Sequence, residues 1–394
     1  MTNKTQFVGD HKLVKLSEIA IIKAGNVAPK KDAFTEDGVP FVRAGSLTNL
    51  LAGGSLADLE KIDDCTAQKL RLTLFPAGTV VFAKSGMSCM TGNVYVLPKP
   101  CYVVSHLACV IPNGNYASYL KHYFRFNRPN RLIENPSFPS IKLSKIQGIE
   151  LRLPSPEEVV RQVQSLERVE SQIERAKVML THLDSLVKSR FVEMFENGRT
   201  DTVRLGDWCE KITKGTTPTT AGYSFIDDGV NFIKVETLSD SGDFIPEKLA
   251  HISSECHAAL KRSQLKEGDL LFSIAGAIGR IAIVTSDVMP ANTNQALAII
   301  RLNKNAPFEL SFLKQALSSS AVAAVAEKLK RGAAQINLSL KDVGNFLIPC
   351  PEIELQMDYS AFVSQVDKSR FVAQQQIEKM HLLYDSLAQE YFGD

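Results

Sequence analysis

The sequence predicts an α+β protein made of two similar β-rich domains, each followed by a long helix, with an internal pseudo-two-fold repeat. Three observations predict it. The chain is written twice, with a period of about 190–200 residues over its length of 394. The first part of each copy is a series of short β-branched and apolar runs broken by Gly, Pro and Asn, the pattern of an irregular β-rich domain. The second part of each copy is an uninterrupted heptad-patterned segment of about 40 residues.

The repeat is carried by blocks in constant order. Phe34–Leu47 (FTEDGVPFVRAGSL) matches Phe225–Leu238 (FIDDGVNFIKVETL) at an offset of 191. Pro76–Gly86 matches Lys266–Gly276 at 190, and Ser105–Ile111 matches Asn294–Ile300 at 189. Ser140–Pro156 matches Gln335–Pro351 at 195, and Asp-Ser-Leu recurs at Asp184 and Asp385. Two long copies, rather than many short ones, point to a pseudo-dimer within one chain instead of a solenoid.

The elements follow in order. TVVFAKSG, NVYVLP and YVVSHLACVIP read as strands of copy one; NFIKVETL, DLLFSIAG, GRIAIVT and LAIIRLN read as strands of copy two. Ala117–Asn127 and Leu310–Leu329 read as helices. The long helices open after Pro156 and Pro351, where a proline lacks only an N–H that would go unpaired. Glu157, Glu158, Glu352 and Glu354 then sit at the positive end of the helix dipole. The apolar seam runs through Val159, Leu166, Ile173, Leu180 and Leu183 in one helix and Val366, Ile377, Met380 and Leu387 in the other. Such stripes need a partner, and an antiparallel coiled coil of the two helices supplies it. The expected boundaries are residues 1–155, 156–199, 200–350 and 351–394.

Charge is uneven. Residues 1–155 carry 19 basic against 11 acidic residues, a balance of +8. Residues 200–351 balance at zero, and residues 352–394 stand at −5. A basic first domain beside an acidic last helix predicts a polyanion on one face and a protein partner on another. The start of the chain is polar and no run approaches ~18 apolar residues, so neither secretion nor membrane spanning is expected. Seven cysteines without CxxC spacing predict neither a disulfide framework nor a zinc site. Catalytic motifs are also missing. Asn135-Pro136-Ser137-Phe138 lacks the second proline of an amino-methyltransferase motif and reads as a loop. Gly276-Ala277-Ile278-Gly279 is neither a dinucleotide nor a phosphate loop. Adjacent Ser105 and His106 on a strand would point to opposite faces. The chain is expected to perform no chemistry of its own and to hold no cofactor or metal.

Several blocks together resemble the specificity subunit of type I restriction–modification systems. They are Lys214-Gly215-Thr216-Thr217-Pro218, Gly229–Lys234, Leu271–Gly279, Ala291–Gln295 and Leu183–Phe191. Copy one departs from them, with Ala24–Pro29 and Ser105-His106 at the matching places. The resemblance implies two target-recognition domains that bind the two halves of a split double-stranded DNA sequence. It implies that the helices hold them apart and dock two methyltransferase subunits, which bring S-adenosylmethionine. Restriction subunits using ATP and magnesium would join in the cytoplasm. Phosphate neutralisation and base contact are expected from Lys30, Lys31, Arg43, Lys84, Ser85, Met87 and Ser137 in copy one. In copy two they are expected from Lys214, Thr216, Thr217, Lys234, Arg280, Lys330, Arg331, Gln335 and Asn337. Asn292, Asn294 and Gln295 are equally consistent with satisfying strand-edge backbone groups. A reading from another class is an adaptor that joins two interaction domains without nucleic acid.

Overall fold

A computed structural model of the chain describes residues 7–8, 11–196, 200–239, 241–330 and 337–393. It divides into two units, each built from one domain and the nearer halves of both long helices. The first unit holds residues 1–177 and 375–394, the second residues 178–374.

The two main sheets of each unit share one topology. In the first, a four-stranded sheet runs in the order Ala20–Ala24, Leu107–Pro112, Val80–Ala83, Val94–Val96. In the second, its counterpart runs Cys209–Lys214, Leu297–Leu302, Leu270–Ser273, Ile281–Ile283. A smaller sheet follows in each. Val39–Val42 lies between antiparallel Lys61–Ile62 and parallel Tyr102–Val103; Val230–Ile233 lies between Ala250–Ile252 and Ala291–Thr293. The central strands are buried on both faces, with Val80, Val81 and Phe82 matched by Leu270, Leu271 and Phe272. Continuous apolar runs of four residues suit such doubly covered strands.

Strand register refines the repeat. Phe82 pairs with Ala108 and Phe272 with Ala298, so the offset through this sheet is 190. The Ser105–Ile111 block therefore aligns one residue away from the offset of 189 read from the sequence. The N–H of Ile141 donates to Lys84 O (2.7 Å), and that of Leu338 donates to Ile274 O (2.9 Å). These two residues are equivalent, and the last block matches there at 197, not 195. The short helices Leu143–Gln147 and Leu340–Gly344 and the starts of the long helices at Pro156 and Ile353 keep that offset of 197.

The helix expected over Leu310–Leu329 is two helices, Leu310–Leu317 and Ser320–Lys330. Two serines break it. Ser318 Oγ donates back to Lys314 O (2.9 Å), and Ser319 Oγ accepts from Val322 N (3.4 Å), so both hydroxyls compete with the backbone ladder.

The central helix is Pro156–Phe191, followed by a π-helical turn over Val192–Glu196, and the terminal helix is Ile353–Phe392. Within each unit their halves run antiparallel. In the second unit Tyr359 Oη donates to Val187 O (3.1 Å), while Arg370 further along pairs with Asp184 further back (2.6 Å). Of the seam, Val159, Leu166, Ile173, Val366 and Ile377 are buried, and Leu180, Leu183, Met380 and Leu387 are half-buried.

Each domain is fastened to its helices in an equivalent way. The short helix Ala117–Phe126 packs Tyr119 edge-on against Phe392 (5.4 Å between centroids). Its counterpart packs Phe312 against Phe191 (5.8 Å). Phe191 and Phe392 each stand seven residues after the repeated Asp184 and Asp385. Around the first contact Lys121 pairs with Glu170 (2.7 Å), Arg125 also pairs with Glu170, and His122 Nδ1 meets Tyr384 Oη (2.8 Å). Burial pushes His122 down to about 4, helped by Lys121. Burial raises Glu170, but Lys121 and Arg125 outweigh it and hold its carboxyl below the usual range.

Candidate nucleic-acid interface

The loops at one end of each four-stranded sheet are drawn together by backbone hydrogen bonds. In the first domain Asn26 N donates to Val103 O (2.6 Å) and Ser105 N to Asn26 O (2.6 Å). Lys84 N donates to His106 O (2.9 Å), Gly86 N to Pro139 O (3.1 Å), and Ser85 bridges Ser140. Four segments meet there: Gly25–Lys31, Lys84–Thr91, Val104–His106 and Asn135–Ser140. In the second domain Gly215 N donates to Asn294 O (3.1 Å) and Thr216 N to Thr293 O (3.1 Å). Ile274 N donates to Ala296 O (2.9 Å), and Ala275 bridges Asn337. The same frame therefore gathers Gly215–Thr217, Ala275–Gly279, Asn294–Ala296 and Asn337.

Two glycine pairs make the frame possible. A Cβ on Gly25 would stand 2.3 Å from Val103 O, and one on Gly215 would stand 1.9 Å from Thr293 O. Gly86 and Gly276 both adopt a left-handed φ, +76° and +70°, at the turn of the second loop.

This frame brings together Lys84, Ser85, Met87 and Ser137 in the first domain. Met87 is 75% exposed, and Ser137 N–H donates to Asn135 Oδ1 (3.0 Å) in a side-chain-closed turn. Lys30 and Lys31 are exposed and continue the first loop, Lys30 as the cap of a short 3₁₀ turn. In the second domain the frame gathers Lys214, Thr216, Thr217 and Asn337. Thr216 Oγ1 accepts from Arg262 (3.2 Å), and Thr217 meets Gln295.

Arg43, Lys234 and Arg280 stand differently. Arg43 donates to Glu60 (2.6 Å) and lies 5.2 Å over the ring of Phe34. Lys234 at the equivalent place lies 4.4 Å over Phe225. A cation over an aromatic face is thus retained in both copies as a link within the domain. Arg280 donates to the carbonyls of Val235 (3.4 Å) and Leu238 (3.0 Å), which fixes the adjacent turn. Arg331 and Gln335 lie outside the described residues, and of Lys330 only the helical backbone is described.

Asn292 is fully buried and donates to Leu260 O (3.2 Å) and Ser263 Oγ (3.0 Å). It satisfies the fold. Asn294 Oδ1 accepts from Ala296 N (3.1 Å), whereas Gln295 is exposed. The site also holds Val27 and Phe138, 82% and 80% exposed, neither of them among the residues expected to contact DNA, although the segment of Phe138 reads as a loop. The signal available was an apolar residue flanked by turn formers, Gly25-Asn26-Val27-Ala28-Pro29 and Asn135-Pro136-Ser137-Phe138-Pro139. Among the described residues no group of three or more His, Cys, Asp or Glu side chains is placed to hold a metal ion. None of the described helices is long and apolar enough to cross a membrane. All seven cysteines are free thiols.

Comparison with known proteins places this architecture. The EcoBI type I restriction enzyme specificity subunit of Escherichia coli is 32% identical over 169 residues, 41% of this chain and 35% of that protein. The MjaIX specificity subunit of Methanocaldococcus jannaschii is 23% identical over 157 residues, 39% of this chain and again 35% of that protein. The matches span about a third of the length of these relatives. Among solved structures, the S subunit of a type I system from M. genitalium superposes with a TM-score of 0.53 at 13% identity, covering 100% of both chains. A chain from a structure on complex assembly and conformational transition of the type I system gives 0.60 at 17% identity, covering 98% of both. Residues 9–179 and 197–380 each match the type I restriction modification DNA specificity domain. With both halves matched in succession, the chain belongs to that family.

Proposed function

We propose that this chain is the DNA-recognising subunit of a type I restriction–modification assembly. Each domain reads one half of a bipartite duplex sequence through its loop end. The observation that carries this reading is the duplicated frame: one backbone cage, occurring once in each family match, with different side chains on the two sets of tips. Two readers of unlike half-sites require that arrangement.

The physical division of labour follows. Lys30, Lys31, Lys84 and Lys214 neutralise phosphates, which supplies affinity and salt dependence without sequence information. The loop tips meet base edges, where sequence is read. The long helices dock two methyltransferase subunits, and restriction subunits join that complex. The chain is non-catalytic. S-adenosylmethionine is handled by the methyltransferase, and ATP with magnesium by the restriction subunits. The assembly works in the cytoplasm, where its DNA is.

The test is selection from a random duplex library by the chain copurified with the methyltransferase encoded beside it. The expected result is enrichment of two short specified blocks with an unspecified spacer, and binding that weakens steeply with salt. Failure to copurify with the methyltransferase, or no enrichment, would favour an adaptor between two interaction domains.

A further inference from the structure

The two loop ends share a frame but differ in chemistry. Val27, Phe138 and Met87 are the most exposed large apolar side chains among the described residues, at 82%, 80% and 75%. All three lie on the loops of the first domain's end. Val27 follows Asn26, which is bonded to Val103 and Ser105; Met87 and Phe138 each stand one residue from the Gly86 N–Pro139 O bond. At the equivalent places the second domain has Thr217 and Ala277, and by count Gln335. Its end carries hydrogen-bonding groups on Thr216, Thr217, Gln295 and Arg262.

Large apolar side chains held this far into water, together and at a binding surface, mark a surface that is covered in use. The cover is DNA on the reading given above, since these tips continue the loops that carry Lys30, Lys31 and Lys84 in a domain of charge +8. Apolar side chains cannot answer the donor and acceptor pattern of base edges. The only apolar group those edges present is the C5-methyl of thymine, in the major groove.

We infer that Val27, Met87 and Phe138 are specificity-determining residues of the first domain and read thymine methyl groups in its half-site, while the second domain reads its half-site by hydrogen bonds. This inference rests on the chain being a DNA-recognition subunit. Three tips on separate, backbone-tied loops spread an apolar surface over several base pairs. Met87 adds an adaptable, polarisable contact.

The experiment uses the complex of the full chain with its methyltransferase, after its target has been mapped. Every thymine of the first half-site is replaced by deoxyuridine, which deletes the methyl and keeps the hydrogen bonds. Binding is expected to weaken about fourfold for each contacted methyl group. The same replacement in the second half-site is expected to change little. In a Val27→Ser/Met87→Ser/Phe138→Ser variant, thymine and uracil duplexes should bind alike. These residues are exposed, so the variant is expected to fold. A first half-site without thymine, equal binding by the unaltered protein, or uracil sensitivity that persists in the variant would overturn the inference. So would a bright 2-aminopurine signal at a first-half step without any uracil effect, which would mean a wedge between bases. Absence of any sequence-selective binding would instead bring down the functional reading itself.

Discussion

The loop ends of the two domains differ most where their frames agree best. Asn26 and Thr216 make the same backbone bond, to Val103 O and Thr293 O, yet the next residue is exposed Val27 in one and Thr217 paired with Gln295 in the other. Beneath them, Tyr102 fills the strand position that Asn292 fills in the second domain, and both are buried. The difference teaches that the shared architecture resides in main-chain hydrogen bonds and in glycines without a Cβ. Side chains at the tips are then free to diverge without unfolding the domain, which a pair of readers for unlike half-sites requires.

If the frame is the common part, breaking it should cost the two domains alike. Gly25→Ala and Gly215→Ala each drive a methyl group into a strand carbonyl. Each is expected to destabilise its own domain by about 3 kcal/mol, the upper range for overpacking. Thermal unfolding with hydrogen exchange by segment would show it. A large loss in one domain and none in the other would mean that the frames are not equivalent.

The fastening to the helices offers a second comparison. His122 stands where the second domain has Gln315, beside the equivalent lysines Lys121 and Lys314. His122 is buried with its pKa lowered to about 4, so the unfolded chain binds this proton more readily than the folded one. Its neutral form therefore stabilises the fold fully above the ordinary histidine pKa of about 6.5, and that stability is lost as pH falls from there toward 4. The loss is about 3 kcal/mol across the window. His122→Gln should flatten this pH dependence in the first unit and make it resemble the second. An unchanged slope would show that other groups carry the acid sensitivity.

The buried pair under the tips comes next. Asn292→Leu removes the bonds from Asn292 to Leu260 O and Ser263 Oγ and leaves His257 Nδ1 without its partner, at an expected cost of about 2 kcal/mol in the second domain. Tyr102→Phe should cost the first domain less, since the Tyr102 hydroxyl makes no hydrogen bond to another described residue. Equal losses would mean that the polar network contributes nothing special.

The smallest effect concerns the proposed phosphate contacts. Lys30→Ala with Lys31→Ala should reduce the slope of log affinity against log salt by about 1.8, at about 0.9 per contact, and leave the recognised bases unchanged. A changed target sequence would show that these lysines read bases.

Much of the fold was legible in the sequence, because periodicity and punctuation are local. The helices show as heptads without Gly or Pro, and the domains show as blocks in repeated order. The strand register was not legible. It is set by pairings such as Phe82 with Ala108, and one slipped position is invisible when both neighbours are apolar. The break at Ser318-Ser319 was missed because serine's competition for the backbone depends on which oxygen it reaches. At the site, residue type pointed to the loops but not to the engagement of each side chain. Arg43 and Lys234 look like phosphate ligands in a list of cations. Their commitment to Phe34 and Phe225 appears only when distant segments meet. Val27 looks like a core residue until the turn around it places it in water, and Phe138 stands exposed in the segment that reads as a loop.

The central claim is that the two loop ends are separate readers on one frame. Exchanging residues 1–155 for the corresponding domain of a relative with a different target, followed by genome-wide mapping of methylated sites, tests it most directly. One half of the bipartite sequence is expected to change and the other half to stay as it was. A change in both halves, or in neither, would contradict it.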